Sequence, residues 1–140
     1  MLEQAGDLLG KVIVTCSLPM DDENTKLVIG TSASGAEELA QKVPQAHVVS
    51  AFNTVPSEVL FGVFEAKGKA SRPSLVYCGD DQHAKKLTAK LIRDVGFDPV
   101  DAGPLSIACY TEPFALLVGE LASEGEGGPE LAYRFERFGE

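Results

Sequence analysis

The stretch SLVYCGDDQHAKKLTAKLIRDVGFDPVD, residues 74–101, decides the fold class. It opens on an apolar, β-prone run from Ser74 to Cys78, which predicts a strand ended by Gly79. A helical pattern follows and stops at Gly96, a residue type that commonly ends helices. Phe97 to Asp101 then predicts a second short strand. Strand, helix and strand in this order are typical of a layered α/β sheet.

The helix in this stretch has the clearest pattern in the sequence. Asp80 or Asp81 can cap its start, since a carboxylate there accepts from free backbone N–H groups. Pro99 cannot donate a ladder hydrogen bond, so the strand that contains it should lie at a sheet edge. The predicted buried stripe of the helix consists of Ala84, Leu87, Leu91, Ile92 and Val95.

The same alternation extends toward the amino terminus. Lys11 to Cys16 predicts a parallel strand buried on both faces, and Ala46 to Phe52 predicts another strand. Between them, Ser34 and Glu37 match a capping box that starts a helix running to about Val43. We therefore predict a single domain over residues 1–140, with a partial Rossmann-like, mostly parallel sheet.

The remaining segments are less regular. Pro56 can start a short helix, and the region from Leu105 to Ala122 has a helical period with Pro113 inside it. Residues 21–25 and 67–72 are expected to be loops. The aromatic-rich tail from Leu131 to Phe138 is expected to pack back on the body.

Ligands of parallel α/β sheets bind at the carboxyl ends of the strands, where loops converge. Four loops at these converging strand ends therefore matter most for ligand binding: residues 17–20, 53–56, 79–81 and 102–105.

The charge balance limits the classes of partner. Twelve Lys and Arg against 21 Asp and Glu give a net charge of −9, which repels nucleic acid and anionic lipid headgroups. A small anion is still allowed, since backbone N–H groups at a helix start bind phosphate. No basic-then-apolar signal peptide and no apolar run of about 20 residues is expected, so we predict no membrane partner.

The three cysteines, Cys16, Cys78 and Cys109, are an odd set without C-x-x-C spacing. Each lies in or beside an apolar run, which favours buried, reduced thiols and a cytoplasmic protein. His47 and His83 lack metal-ligand spacing, so no metal is predicted.

Five segments, in order along the chain, resemble the deazaflavin-dependent NADP reductase family: GKVIVTCSLPM, TSASGAEELAQKVPQAHVVSAFNTV, RPSLVYCGDD, KLIRDVGFDPVDAGPL and ACYTEPFALL. The resemblance implies a Rossmann-type domain that binds NADP and passes hydride to or from a deazaflavin or flavin-like acceptor. In that family a G-x-G-x-x-G loop lies upstream of every matched segment. This sequence contains none, which predicts a carboxy-terminal portion of the fold without the phosphate-binding β-α-β unit and with weak or absent NADP binding.

The resemblance also implies site residues. Cofactor contacts would come from the loops after the first two strands: Ser17, Leu18 and Pro19, and Phe52, Asn53 and Thr54. Leu18 stands where the family commonly has an Asn, and Leu makes no polar contact. The acceptor side would be shaped by Gly103, Pro104 and Leu105. No catalytic residue is assigned, because hydride transfer asks the protein mainly to hold two rings face to face.

Each candidate also has a plainer interpretation. Asn53 can simply cap a turn, and Ser17 can bond neighbouring backbone. Cys16 has no adjoining base, so a buried small hydrophobe is favoured over a nucleophile. Asp80 and Asp81 could bind a cation, although helix capping explains the pair.

Three functions are compatible with these patterns. The first is a NADP-dependent oxidoreductase acting on a deazaflavin or flavin-like acceptor, with this chain truncated. The second is a non-catalytic α/β module that oligomerises, since an unpaired strand edge invites a second copy, or that binds a ligand. The third, a small hydrolase or thiol enzyme, lacks the G-x-S-x-G nucleophile elbow.

Overall fold

The computed structural model describes residues 2–22, 27, 32–68 and 71–139. The strands are β1 (Val12–Thr15), β2 (His47–Ala51), β3 (Ser74–Gly79) and β4 (Asp98–Asp101). The α-helices are α1 (Gly35–Lys42), α2 (Leu60–Glu65), α3 (Gln82–Val95) and α4 (Ala108–Glu124). Short 3-10 turns span Leu2–Ala5, Ser57–Val59 and Leu105–Ile107. The predicted loops at 21–25 and 67–72 lie partly outside the described residues.

The four strands form one sheet in the order β1-β2-β3-β4. β1 pairs with β2 in parallel and β3 pairs with β4 in parallel, which confirms a mostly parallel α/β fold. β2 and β3 pair antiparallel, with Val49 opposite Gly79 and Ala51 opposite Tyr77. β4 lies at an edge, as Pro99 predicted. Two parallel pairs thus run in opposite directions within one sheet.

Helices cover both faces of the sheet. Val49, Leu75 and Tyr77 point to the face that carries α2 and α3, where Ile92 and Phe97 are fully buried. Neighbouring strand residues point to the other face, which packs against α1 and the start of α4. This second core contains Ala36, Val43, Val48, Cys78, Leu105 and Ala108. β1 is only partly buried along Val12–Val14, so its predicted burial on both faces is incomplete.

Helix α3 begins and ends as its sequence predicted. The Asp81 carboxylate accepts from the Ala84 N–H at 2.8 Å, and Gly96 ends the helix with φ of 122°. The predicted stripe is wrong in part, since Leu87 and Leu91 are 46% and 45% exposed. The face toward the sheet carries Ala84, Lys85, Thr88, Ala89 and Ile92 instead. Mostly small side chains there let the helix lie close to the strands, and the larger leucines turn outward.

The tail packs back on the body, as expected from its aromatic residues. The Ser74 N–H donates to the Tyr133 carbonyl at 2.7 Å, and the Phe135 N–H donates to Ser74 Oγ at 3.0 Å. Phe114 of α4 meets the Tyr133 ring edge-on, with centroids 5.1 Å apart. The tail therefore covers the start of β3, which extends beyond its pairing with β2.

Two expectations about burial need correction. The expectation that no apolar run approaches the length of a membrane span needs correction, since the 20 residues Leu105–Glu124 are long and apolar enough by length and composition to cross a membrane. An 18-residue window within them has a mean hydropathy of 1.3, and 39% of that window is buried inside the protein. Cys16 is exposed and Cys109 half-buried, so only Cys78 has the predicted burial. Cys16 is exposed because it follows the last residue of β1 and lies in a loop rather than in the sheet.

Candidate functional site

The expectation that four loops converge on one site is wrong. The loops after β1 and β2 meet at one end of the sheet, which we call the β1–β2 rim (residues 16–20 and 52–56). The loops after β3 and β4 meet at the opposite end, which we call the β3–β4 rim (residues 80–81 and 102–105). The antiparallel pairing of β2 with β3 causes this separation, because it reverses where the carboxyl ends of β3 and β4 point.

At the β1–β2 rim the predicted polar residues come together. The Asn53 Nδ2 donates to the Ser17 carbonyl at 3.3 Å and to the Ser50 hydroxyl at 3.4 Å. Phe52, just before it, has a positive φ of 70°, a conformation that costs a bulky residue free energy. The turn is therefore held in a strained shape, with the amide oxygen of Asn53 left as its acceptor.

The neighbouring Thr54 is fixed by the tail. Its Oγ1 lies 2.7 Å from the Tyr133 hydroxyl, which also accepts from the Val76 N–H at 3.1 Å. Burial raises the pKa of Tyr133, partly opposed by these two hydrogen bonds. The neutral hydroxyl thus joins β3, the tail and the rim turn. Sequence reasoning missed this role, because nothing local links Tyr133 to residue 54.

A cavity of about 580 Å³ opens beside this turn. That volume is in the range of small-molecule sites. Its walls come from the rim, from residue 58 and from one face of α4, with Pro129 beyond the helix. The lining residues are Leu18, Met20, Asn53, Thr54, Val55, Pro56, Glu58, Ala115, Leu116, Val118, Gly119, Glu120, Ala122, Ser123 and Pro129. Small residues on α4 leave the space, and a Cβ added at Gly119 meets nothing within 4 Å.

The β3–β4 rim is organised differently, because its polar groups bind one another. Lys85, only 6% exposed, lies with its Nζ 2.8 Å from an Asp101 carboxylate oxygen and donates to the Gly103 carbonyl at 3.1 Å. Asp80 accepts from the Leu105 N–H at 2.9 Å. A second cavity of about 510 Å³ lies against these groups. The buried Lys85 was not predicted, since its spacing matches an ordinary exposed helix position.

The predicted site residues therefore fall in different places. Leu18, Asn53 and Thr54 line the larger cavity, and Ser17 holds Asn53 through its carbonyl. Phe52 packs against the core, and the ring of Pro19 lies close against Gly35. The residues predicted for the acceptor side are at the other rim: Gly103 and Pro104 line the second cavity, and Leu105 is buried in the core.

The start of α1 is closed by a side chain from α4. Glu112, 1% exposed, accepts from the Gly35 N–H at 2.8 Å and from the Ala36 N–H at 3.1 Å. Ser34 Oγ accepts from the Glu37 N–H, as the capping box predicted, while the Glu37 carboxylate accepts from Ser34 Oγ rather than from backbone. A helix start of this kind can bind phosphate, but here the chain's own carboxylate takes those donors.

The titratable groups of the sheet interior are held neutral. Burial raises the pKa of the Cys78 thiol to about 12, so it is not a thiolate nucleophile at neutral pH. His47 is exposed, and its Nδ1 lies 3.7 Å from Oδ1 of Asp81. Among the residues that the structure describes, no three His, Cys, Asp or Glu side chains form a group suited to a metal ion. The polar side chains that line the larger cavity include Asn53, Thr54 and the carboxylates of Glu58 and Glu120.

The fold is that of a Rossmann-like α/β protein, and it leaves a cavity of small-molecule size beside β1 and β2. No family model matches the chain. It is 29% identical over 130 residues to the F420-dependent NADP reductase of Methanocaldococcus jannaschii, covering 86% of this chain and 56% of the reductase. It is also 32% identical over 112 residues to the rat metalloreductase STEAP3, covering 80% of this chain and 21% of that protein.

Solved structures agree with these similarities. A putative F420-dependent NADP reductase from Arthrobacter superposes with a TM-score of 0.84 at 25% identity, covering 97% of this chain and 63% of that one. A hypothetical protein from Sinorhizobium meliloti superposes with a TM-score of 0.65 at 29% identity, covering 95% and 59%. These similarities confirm the resemblance to the F420-dependent NADP reductases. The chain spans little more than half the length of the archaeal reductase.

Proposed function

We propose that this protein takes part in hydride transfer between NADP(H) and a deazaflavin or flavin-like acceptor, with the reacting rings at the β1–β2 rim. The observation that carries the proposal is the cavity of about 580 Å³ beside the strained Phe52–Asn53 turn. Its volume is in the range of small-molecule sites, and its walls are mostly apolar. The relatives' names supply the cofactor class, and activity for the whole protein is part of the proposal.

The two ends of NADP(H) fit the described residues unequally. At the ring end, Asn53 offers an amide oxygen whose orientation is fixed by two hydrogen bonds from its own Nδ2. At the pyrophosphate end, the sequence has no G-x-G-x-x-G turn, and the α1 donors are taken by Glu112. The ring end is therefore where this chain's own residues support binding, and affinity for the whole dinucleotide should be weak.

In this proposal the chain orients the reacting rings and excludes water from them. When bound, NADPH supplies a hydride to the acceptor ring, which also takes one proton from solvent, leaving NADP⁺ and the reduced acceptor. Asn53 accepts a hydrogen bond from a ring amide or ring N–H, and the buried face of α4 keeps water from the second ring. No side chain here has to carry the hydride.

Loss of NADPH absorbance at 340 nm with riboflavin as acceptor tests this function. The informative variant is Gly119→Leu, which fills the cavity without removing a hydrogen bond. Its matched control is Gly62→Leu on α2, where an added Cβ also meets nothing within 4 Å. We expect oxidation in the wild type and in Gly62→Leu, and a loss of at least about 100-fold, roughly 2.7 kcal/mol, in Gly119→Leu.

Both outcomes are decisive. If the wild type, at millimolar NADPH, oxidises it no faster than buffer with riboflavin, the proposed hydride transfer is refuted. If Gly119→Leu retains the wild-type rate, the reaction takes place elsewhere and the assignment of the cavity is wrong.

The second part of the proposal is that copies of this chain associate with one another in the cytoplasm. They would do so either as a catalytic oligomer or as a non-catalytic module. A line of apolar side chains on α4 supports it: Tyr110, Leu117 and Leu121 are each more than half exposed and share one helix face. Sedimentation velocity tests it, with Leu117→Glu and Leu121→Glu together as the disrupting change. A concentration-independent monomer in the wild type would remove this part while leaving the proposed hydride transfer untouched.

A further inference from the structure

We infer that the tail from Leu131 to Phe138 is a strap whose docking on the body is coupled to occupancy of the larger cavity. While the strap is docked the cavity has its complete wall, and a ligand in the cavity holds the strap in place. This inference rests on the proposed function and concerns the regulation of its site. Three features of the tail support it: its attachment to the body, its link to α4 and its contact with the cavity wall.

The tail is attached to the body mainly through the start of β3. The Ser74 N–H donates to the Tyr133 carbonyl at 2.7 Å, and the Phe135 N–H donates to Ser74 Oγ at 3.0 Å. Arg134 Nη1 donates to the Arg72 carbonyl at 2.7 Å. From residue 134 to residue 139 the chain is exposed. A segment held by so few contacts opens at a free energy well below that of global unfolding.

The link between α4 and the tail is exposed and rich in glycine. Residues 125–130 are all exposed. Gly127 and Gly128 have φ values of 101° and 89°, and a Cβ added at either would meet nothing within 4 Å. Glycine occupies such left-handed conformations without steric cost and has many other conformations open to it. The tail can therefore leave the body without disturbing α4.

The link and the tail both contribute to the wall of the larger cavity. Pro129, in the link, lines the cavity directly. Tyr133 contacts the wall through Thr54, since its hydroxyl lies 2.7 Å from Thr54 Oγ1 and Thr54, 1% exposed, lines the same cavity. When the tail leaves, the Thr54 hydroxyl loses this partner and the wall loses its outer part. A ligand therefore binds the docked form more tightly, and by linkage it shifts the tail toward docking.

Amide hydrogen exchange in the presence of riboflavin tests the coupling. The reporters are the Ser74 and Phe135 N–H groups, whose hydrogen bonds join the tail to β3. Quenching of riboflavin fluorescence first gives its Kd for the intact chain. A ligand that binds only the docked form slows opening by the factor 1 + [L]/Kd, which is about 11 at ten times Kd. We expect both amides to slow by at least about fivefold under that condition.

An amide at the opposite end of the sheet separates this coupling from a general stabilisation of the protein. The Leu105 N–H donates to Asp80 at 2.9 Å in the β3–β4 rim, away from the tail and from the larger cavity. Because it opens independently of the tail, riboflavin should change its exchange rate by less than about twofold.

A matched pair of aromatic substitutions checks that the strap is the part that moves. Phe135→Ala removes a ring whose centroid lies 5.4 Å from that of Tyr133, at a position that does not line the cavity. Phe138→Ala is the control, since this ring belongs to the same tail and is 93% exposed. Without ligand, Phe135→Ala should speed exchange of the Ser74 N–H by at least about fivefold, and riboflavin at ten times its measured Kd should slow it again by a similar factor. Phe138→Ala should behave as the wild type.

Unchanged exchange of the Ser74 N–H when riboflavin is bound would overturn the inference, and so would equal slowing of the Leu105 N–H. Failure of riboflavin to bind would overturn it as well. A failure of the proposed function is read separately, from NADPH oxidation. Oxidation without protection of the tail would refute the strap and leave hydride transfer standing, whereas protection without oxidation would support the strap and refute hydride transfer.

Discussion

The two rims of the sheet use their polar groups in opposite ways. At the β3–β4 rim Lys85, Asp101 and Asp80 are bound to one another or to backbone, so they stabilise the loops. At the β1–β2 rim Asn53 donates through its Nδ2, which leaves its amide oxygen as an acceptor beside a cavity. Phe52 there has a strained backbone conformation with a positive φ. Polar residues at strand ends therefore become a candidate site only where the fold leaves some of their hydrogen-bonding groups unused.

The largest expected effect is at the β3–β4 rim. Lys85→Ala leaves the Gly103 carbonyl and Asp101 without their donor and removes a buried stem, so it should lower the free energy of unfolding by about 3 kcal/mol. Flavin binding should be unchanged. Urea unfolding with a constant m-value measures the loss. Lys90→Ala, which breaks the exposed pair with Asp94 on the same helix, should cost about 0.3 kcal/mol. Equal losses in the two variants would contradict the structural role of this rim.

Tyr133→Phe should lower both the free energy of unfolding and the affinity for riboflavin. Removing its hydroxyl leaves Thr54 and the Val76 N–H without a partner, at a cost of about 1.5 kcal/mol. Because Thr54 lines the cavity, riboflavin affinity should fall as well. Tyr110→Phe is the control, since this ring is 62% exposed. A stable Tyr133→Phe protein with wild-type affinity would show that the tail does not support the site.

At the β1–β2 rim a substitution should affect ligand affinity more than the free energy of unfolding. Asn53→Ala removes the amide that faces the ligand, so riboflavin affinity should fall about tenfold, roughly 1.4 kcal/mol. Stability should change by less than that. Gln82→Ala, at an exposed position in the second cavity, should leave affinity unchanged. Calorimetry of both variants checks the difference, and a larger effect from Gln82 would transfer the site to the other rim.

The smallest expected effect depends on pH. Burial raises the pKa of Glu112 above its unfolded value, partly opposed by the Gly35 and Ala36 hydrogen bonds, so the folded state binds more protons than the unfolded state. Its contribution to stability is therefore greatest below the unfolded pKa and declines as pH rises toward the folded pKa. Glu112→Gln should remove this slope, and its cost relative to wild type should be larger at acidic than at neutral pH. Parallel stability curves for the two proteins between pH 4 and 7 would show that Glu112 does not titrate in this way.

Local patterns were sufficient for much of the fold. The caps at Ser34 and Asp81, the stop at Gly96 and the edge position of Pro99 all follow from chemistry within a few residues, and each is confirmed. The family resemblance, carried by ordered segments, is confirmed as well. The roles assigned to the site residues stay predictions. Their placement was only half right, because Asn53 and Gly103 were expected at one site and lie at opposite ends of the sheet.

The sequence by itself determined the order of strands and helices and the caps of α1 and α3, since caps, glycines and apolar periods act over one or two turns. Only the tertiary structure decided the direction of β3 relative to β2, because an apolar run reads the same in either direction and its hydrogen bonds go to a distant strand. The same holds for Glu112, whose partners lie 76 and 77 residues away, and for Tyr133 and Thr54, 79 residues apart. Contacts of that range leave no local pattern, yet they determine which strand ends share a rim and which side chains remain available to a ligand.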